Sequence, residues 1–139
     1  MGPSTLKQKN SISLENRDEK GERMFDVVRE VVKWNLDRDN TEYSKKLEYR
    51  MLLEEVDEYL GAKTSVDQAD GLADIIFVAV GSLFKLTGDE KKTVDILQIV
   101  CNANNQKGKK KDKDGKIIKP IHFKHPEELI ELVLFEKNM

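Results

Sequence analysis

Cysteine and histidine are nearly absent from this chain of 139 residues, which has one cysteine and two histidines. A single cysteine excludes an internal disulfide and a cysteine cluster for zinc, and we expect Cys101 to be a small buried hydrophobe. Since His122 and His125 both lie near the C-terminus, we expect no histidine-rich metal site, no histidine-dependent triad and no Glu-x-x-His pair of the di-iron bundles. A metal site in this sequence would therefore use oxygen ligands.

Long apolar runs are also missing. No stretch of 18 apolar residues occurs, and residues 1–23 lack the apolar segment of a signal peptide, so we expect a soluble, cytoplasmic protein without a membrane partner. The formal net charge of -2 gives no overall attraction to nucleic acid or to membranes. At 38% hydrophobic residues the chain is long enough for one core and short for two, which predicts a single domain.

Hydrophobic periodicity predicts an all-α protein. Apolar residues recur at helical spacing in four long segments, and serine, glycine and proline mark the segment ends. The predicted elements are a disordered tail over residues 1–17, helices over about 18–37, 41–61, 65–87 and 89–107, a basic loop or short hairpin in KGKKKDKDGKIIKP, and a short helix from Pro126 to Leu134 or Phe135. We therefore expect one all-α domain over residues 18–139, with a four-helix-bundle core, a basic loop and a short C-terminal helix.

Three local expectations accompany these helices. Ser65 and Gln68 have the spacing of a capping box, which predicts Ser65 as the cap of the third helix. The apolar stripe of the first helix includes Trp34, which we place in the core in preference to a role in stacking on a base. On the fourth helix, Asn104 shares the predicted inner stripe with Cys101, so we expect a partly buried amide that needs hydrogen-bond partners.

Four acidic residues lie close together in the stretch LLEEVDEYLGA, residues 52–62. Because aspartate and glutamate occupy 26 of the 139 positions, about one match to E-E-x-x-E is expected by chance in the whole chain. On a helix, Glu55 and Glu58 are three residues apart and Glu54 and Glu58 are four apart, so all three side chains can project towards one side. The motif alone fits both a solvated helix face and half of a metal site.

A second acidic stripe follows on the third predicted helix, where Asp67, Asp70 and Asp74 are spaced three and four residues apart. Asp74 directly precedes an uncharged segment of ten residues, and a carboxylate beside a buried helical surface is costly unless it is paired or bound to a cation. Arg50, four positions before Glu54, could neutralise the first stripe. The third predicted helix has no lysine or arginine before Lys85, so the acids of the second stripe need positive charge from elsewhere. Oxygen ligands alone favour Mg²⁺, or else Mn²⁺, over zinc.

The ordered combination of E-E-x-x-E, then ADGLADIIFVAVG, then VCNANNQK resembles the MazG-like all-α NTP pyrophosphohydrolases. The likeness is closest to the branch related to phosphoribosyl-ATP pyrophosphohydrolase and dimeric dUTPase, and it covers roughly residues 24–120. It implies a helical bundle, assembled as a homodimer or homotetramer, that uses Mg²⁺ to cleave a nucleoside triphosphate between its α and β phosphates. The products would be a monophosphate and pyrophosphate, as in the cleansing or balancing of nucleotide pools.

The resemblance also implies roles for individual acids. Glu55 and Glu58 would be metal ligands on the second helix. Asp74 would be the aspartate ligand of the family's E-x-x-D motif, and Glu54 would orient or deprotonate water. These roles suit the chemistry, because a triphosphate needs cations on its oxygens and an activated water aimed at phosphorus.

One family position is occupied by a different residue. Gly71 stands where the glutamate of E-x-x-D belongs, and Asp70, one helical turn before Asp74, is the candidate replacement. The N-x-x-K element of the nearest branch falls on Asn104 and Lys107, which would contact nucleotide polar groups and phosphate.

Two other classes of function remain open. The chain could be a non-catalytic helical interaction protein whose acids form a solvated face. Nucleic-acid binding through KGKKKDKDGK is disfavoured, because that run is short, contains Asp112 and Asp114, and lacks aromatics. Within the same loop, Lys116 and Lys119 are either additional phosphate contacts or solvated lysines, and we prefer the second interpretation.

Overall fold

The computed structural model describes residues 23–136, with side chains described from residue 26 onward. The disordered tail predicted for residues 1–17, and the first residues of the first predicted helix, lie outside the described residues. In the described part the chain forms α1 (Arg23–Asp37), α2 (Lys45–Gly61), α3 (Ser65–Thr87), α4 (Glu90–Asn104) and α5 (Glu127–Phe135), with no strand. The all-α class is confirmed, with four longer helices, a basic loop and a short C-terminal helix in the predicted order.

Side-chain caps fix where three of the helices begin. Ser44 Oγ accepts a hydrogen bond from Leu47 N at 3.4 Å, so α2 begins at residue 45 and not at 41. The carboxylate of Asp89 accepts a hydrogen bond from Lys92 N and caps α4, which begins at residue 90, next to the predicted start at about 89. For α3 the cap lies one residue before the predicted Ser65, because Thr64 Oγ1 accepts from Asp67 N at 3.0 Å.

Contacts divide the chain into two compact units, one up to Ser82 and one from Leu83, with α3 passing from the first into the second. The first unit buries Val28, Val31 and Val32, which recur at helical spacing on α1, together with Val80. The second unit buries Phe84, Thr93, Ile96 and Ala103, and within it α4 packs against α5.

In the first unit α2 and α3 run antiparallel. Three contacts set their register, because residues later on α2 meet residues earlier on α3. These contacts join Glu48 to Ser82, Glu55 to Asp74, and Tyr59 to Gly71. The short connection that ends at Thr64 makes this hairpin of helices possible, since only three residues separate α2 from α3.

Helix α1 packs on the C-terminal part of α3 within the same unit. A Cβ atom at Gly81 would lie 3.1 Å from Asn35 Nδ2 and 3.7 Å from a Val31 methyl, so α3 meets α1 at a residue without a side chain. Trp34 contacts Phe77 edge to face, with ring centroids 5.3 Å apart. Trp34 is nevertheless 41% exposed, so the prediction that it is a core residue is wrong.

Helix α4 also departs from its predicted orientation. Its buried positions are Thr93, Ile96 and Ala103, whereas Cys101 and Asn104 are exposed. The predicted inner stripe was therefore rotated around the helix axis, and Cys101 is not the buried hydrophobe that the sequence suggested.

Within the described residues no single helix is long and apolar enough to cross a membrane. The bent pair of α3 and α4 would qualify together, judged by length and composition alone.

Candidate metal centre

Three carboxylates converge where α2 and α3 pack together. Glu55 and Glu58 come from α2 and Asp74 comes from α3, and one oxygen from each lies within 4.8 Å of the others. Glu55 and Asp74 are partly buried, whereas Glu58 is exposed. These are the three residues that the sequence singled out as principal metal ligands, and the fold brings them together.

Close packing of the two helices one turn away supports this convergence. A Cβ atom built at Gly71 would lie 3.2 Å from both Cα and Cβ of Tyr59. Such a distance is tighter than most side chains tolerate, and the atoms in the way belong partly to the backbone of α2. The absence of a side chain at position 71 therefore lets the helices approach closely beside Glu58 and Asp74.

The same contact bears on which residues fit at position 71. A side chain at position 71 would meet Cα and Cβ of Tyr59 at its first carbon, so α2 and α3 would have to move apart by a few tenths of an ångström to admit it. An additional acid beside the three carboxylates is therefore more readily supplied by another position on α3.

Asp70 is the neighbouring acid that the sequence proposed, and the structure places it beside the three-carboxylate group without including it. Asp70 is exposed and lines a small open cleft of about 220 Å³. The other residues of the cleft are Glu58, Gly61, Ala62, Asp67 and Gly71. Glu58 therefore belongs both to the carboxylate group and to this cleft, which makes the acidic region continuous along the α2–α3 boundary.

The electrostatics of the group centre on Glu55. Loss of hydration raises the pKa of Glu55 above its usual range, and neighbouring negative charges raise it further. In order of decreasing effect, these charges are Glu58, Asp74, Glu54 and Asp70. In a protein without a bound cation, ionisation of Glu55 is therefore disfavoured by its surroundings, and a cation between the carboxylates would reverse this effect.

The sequence also offered Arg50 as a source of positive charge for the acids of α2. In the described part of the chain, Arg50 forms no ion pair with Glu54, although the two are separated by one helical turn on α2. Glu54 is exposed and lies close enough to Glu55 to raise its pKa. It is outside the group of three, so its carboxylate is available for a role other than direct ligation.

The remaining two predicted site residues lie in the second unit. Asn104 is exposed, and its side chain donates a hydrogen bond to Val100 O at 2.9 Å, one turn back on α4. The expected partly buried amide is therefore absent, because α4 turns that face outward. Lys107 is partly buried, and its Nζ atom lies 5.8 Å from the centroid of the Phe123 ring.

One buried acid of the first unit escaped the sequence analysis. Glu48 is only 3% exposed, and Ser82 Oγ donates a hydrogen bond to Glu48 Oε1 at 2.6 Å. Glu48 lies seven residues before Glu55, two helical turns along the same face of α2. This spacing relative to Glu55 was the signal in the sequence that could have identified it.

Comparisons of the chain with protein-family models, with curated proteins and with solved structures found no match.

Three oxygen ligands on two packed helices suit a hard divalent cation. Mg²⁺ is commonly bound by a few carboxylates and keeps water or phosphate oxygens in the rest of its octahedral shell. Two of the three acids are partly buried and Glu58 is exposed, so the group is accessible from solvent. The arrangement can therefore hold a cation and still leave coordination positions for another molecule.

Proposed function

We propose that this protein is a Mg²⁺-dependent nucleoside triphosphate pyrophosphohydrolase, with Mn²⁺ as an alternative cation. The reaction would convert a ribo- or deoxyribonucleoside triphosphate and water into the monophosphate and pyrophosphate. The observation that carries the proposal is the convergence of Glu55, Glu58 and Asp74 within 4.8 Å, beside a cleft with further acids. The resemblance of the ordered motifs to MazG-like enzymes supplies the reaction class.

Each acid has a chemical role in this proposal. Glu55, Glu58 and Asp74 would hold the cation, which supplies positive charge to the triphosphate oxygens and lowers the pKa of bound water. Glu54 would accept a proton from the attacking water. A bond would form between the water oxygen and the α-phosphorus while the bond from that phosphorus to the α–β bridging oxygen breaks, and pyrophosphate would leave with the bridging oxygen.

Asp70 would assist from the neighbouring cleft. Together with Asp67 and Glu58 it lines a space of about 220 Å³, which is open to solvent and carries only acidic charge. We propose that Asp70 would be a further metal ligand, holding a cation together with the neighbouring acids. Asp70 would thereby take the place of the motif glutamate, at whose position Gly71 packs closely against Tyr59.

The other parts of the resemblance remain proposals of the same kind. Asn104 and Lys107 would contact nucleotide polar groups and phosphate, and the chain would act as a homodimer or homotetramer. Several large apolar side chains of the first unit are exposed, including Leu60 at 82% and Val66 at 77%, which favours burial against another subunit. Cleavage of phosphoribosyl-ATP is the main alternative within the family.

The proposal is tested by comparing two aspartates near the site. Asp74→Asn should abolish Mg²⁺-dependent release of pyrophosphate from a panel of ribo- and deoxyribonucleoside triphosphates that also includes phosphoribosyl-ATP. Asp57→Asn is the matched control, because Asp57 is an exposed acid on α2 outside the group of three. Retention of most activity in Asp57→Asn would support the assignment, whereas full activity in Asp74→Asn would refute it.

The exposed apolar side chains also favour a second candidate, a non-catalytic interaction protein. In that case the carboxylates would be a solvated surface, and Mg²⁺ would leave the melting temperature unchanged. A genuine ion site stabilises the folded protein by mass action. A thermal melt with and without Mg²⁺ therefore distinguishes the two candidates without knowledge of the substrate.

A further inference from the structure

Helix α5 is strongly apolar, yet the second unit leaves it largely uncovered. Six of its nine residues are apolar and none of the nine is buried, although the helix packs against α4. Leu129, Leu132 and Phe135 are all exposed, Phe135 at 68%. They recur every three residues, so they form one continuous stripe along the helix, which we name the α5 stripe. An exposed stripe of large apolar side chains marks a contact surface.

The charges beside the α5 stripe are all acidic. Glu128 and Glu131 are exposed next to the apolar side chains, and within the described residues neither of them forms a salt bridge. A cleft of about 380 Å³ lies along the C-terminal part of the helix, lined by residues 131–133, 135 and 136. The surface therefore suits an apolar segment that carries positive charge.

The chain itself contains such a segment, KIIKPI at residues 116–121. Ile118 and Ile121 are both exposed, Ile121 at 95%, so the segment presents two apolar side chains to solvent. Lys116 and Lys119 stand beside them and are exposed as well. In both apolar character and charge, this segment is the complement of the α5 stripe and its two glutamates.

Within one chain these two surfaces leave each other uncovered. Only five residues separate the segment from α5, yet Ile121 and the α5 stripe are both exposed. The connecting backbone is fixed at the end of α4, because Gln106 Nε2 donates to Lys124 O at 2.7 Å and Lys124 N donates to Gln106 Oε1 at 2.8 Å. This pair holds the segment where it does not cover its own α5, whereas a second copy offers the same complement.

We propose that two copies associate through a reciprocal contact, in which residues 116–121 of each chain pack on the α5 stripe of the other. A two-fold arrangement uses each surface once per chain, so the contact closes as a dimer. The apolar side chains form its centre, and the lysines meet Glu128 and Glu131 at its edge, where opposite charges select the partner. This contact is separate from the exposed apolar residues of the first unit, and it does not depend on hydrolysis.

An exchange of charge between two variants tests the proposal. One variant carries Glu128→Lys with Glu131→Lys, and the other carries Lys116→Glu with Lys119→Glu. Each variant alone places like charges across both contacts, so its self-association, measured by light scattering over a concentration series, should weaken about tenfold relative to the parent protein. An equimolar mixture should recover assemblies of the parent's mass, because both contacts of a mixed pair again join opposite charges.

The matched control carries Lys109→Glu with Lys113→Glu, the same change of charge outside residues 116–121, and should associate like the parent protein. Far-ultraviolet circular dichroism would show that each variant is folded. If the first unit also pairs, the parent assembly is larger and each charge-reversal variant should halve its mass. A monomeric parent protein, unchanged association of both variants, or a mixture that does not recover the parent's mass would overturn the proposal.

Discussion

Replacing Glu55 with glutamine should stabilise the protein without metal and weaken its response to metal. In the fold Glu55 lies among carboxylates that raise its pKa, so its negative charge is unfavourable when no cation is bound. Glutamine has nearly the same shape and no charge. The substitution therefore removes repulsion from Glu58 and Asp74, and at the same time it removes one oxygen ligand of the proposed ion.

The two effects differ in sign and in size. Relief of like-charge repulsion on a partly exposed helix pair is worth about 0.3–0.5 kcal/mol after screening by solvent, a rise of about 2 °C in melting temperature. For the parent protein, Mg²⁺ at a hundred times its dissociation constant should add about 2.7 kcal/mol, or roughly 10 °C. If the substitution weakens affinity a hundredfold, the same Mg²⁺ concentration would add only about 0.4 kcal/mol.

Differential scanning calorimetry in EDTA and over a Mg²⁺ titration would measure both effects. In EDTA the melting temperature of Glu55→Gln should be higher than that of the parent protein. In Mg²⁺ the parent protein should have the higher melting temperature. Asp57→Asn is again the control and should follow the parent protein's Mg²⁺ response. The reasoning would be refuted if Mg²⁺ did not raise the melting temperature of the parent protein, or if it raised that of Glu55→Gln by the same amount.

The pH should change the difference in melting temperature between Glu55→Gln and the parent protein. Because the pKa of Glu55 is raised in the folded state, protonation of its carboxyl group favours the folded protein. This stabilisation is fully present below the ordinary pKa of about 4.5 and is lost as the pH rises through the folded pKa. In EDTA, the advantage of Glu55→Gln over the parent should therefore vanish near pH 4 and grow towards neutral pH. The opposite trend in a series of melts would contradict the assigned direction of the shift.

Three further substitutions test the packing that holds the site. Gly71→Ala should be less stable than Gly61→Ala by at least about 1 kcal/mol in urea unfolding, because a methyl group at 71 meets the neighbouring helix and one at 61 meets nothing. Thr64→Ala should cost about 1 kcal/mol through loss of the cap of α3, whereas Ser65→Ala should change stability by less than about 0.5 kcal/mol; equal costs would argue against the shifted cap. Ser82→Ala should cost about 1–3 kcal/mol by removing a donor from a buried carboxylate, and an unchanged denaturation midpoint would count against that hydrogen bond.

Much of the site could be predicted because it depends on local geometry. Residues three apart on a helix share a side, which was enough to group Glu55 with Glu58. Asp74 stood out because it adjoins an uncharged run, where an unneutralised carboxylate is costly. The structure adds the contact between the two helices, which brings these independent local signals together.

The rest depended on how helices pack, and helical periodicity does not determine this. The register of α2 against α3 is set by a close approach between Gly71 and Tyr59. The sequence around Gly71 does not indicate which residue of α2 it contacts. Burial of Glu48 follows from the same register. On α4, the buried stripe runs through Thr93 and Ile96, and a rotation of about one residue was enough to place Cys101 outside.

Phosphorus NMR of the products of a nucleotide incubation would test the central claim most directly. The parent protein would be incubated with each nucleoside triphosphate in Mg²⁺, and the phosphorus resonances of the products would be assigned. The account predicts nucleoside monophosphate and pyrophosphate in equal amounts, with no turnover in EDTA. Formation of nucleoside diphosphate and phosphate, or no turnover of any triphosphate, would contradict it.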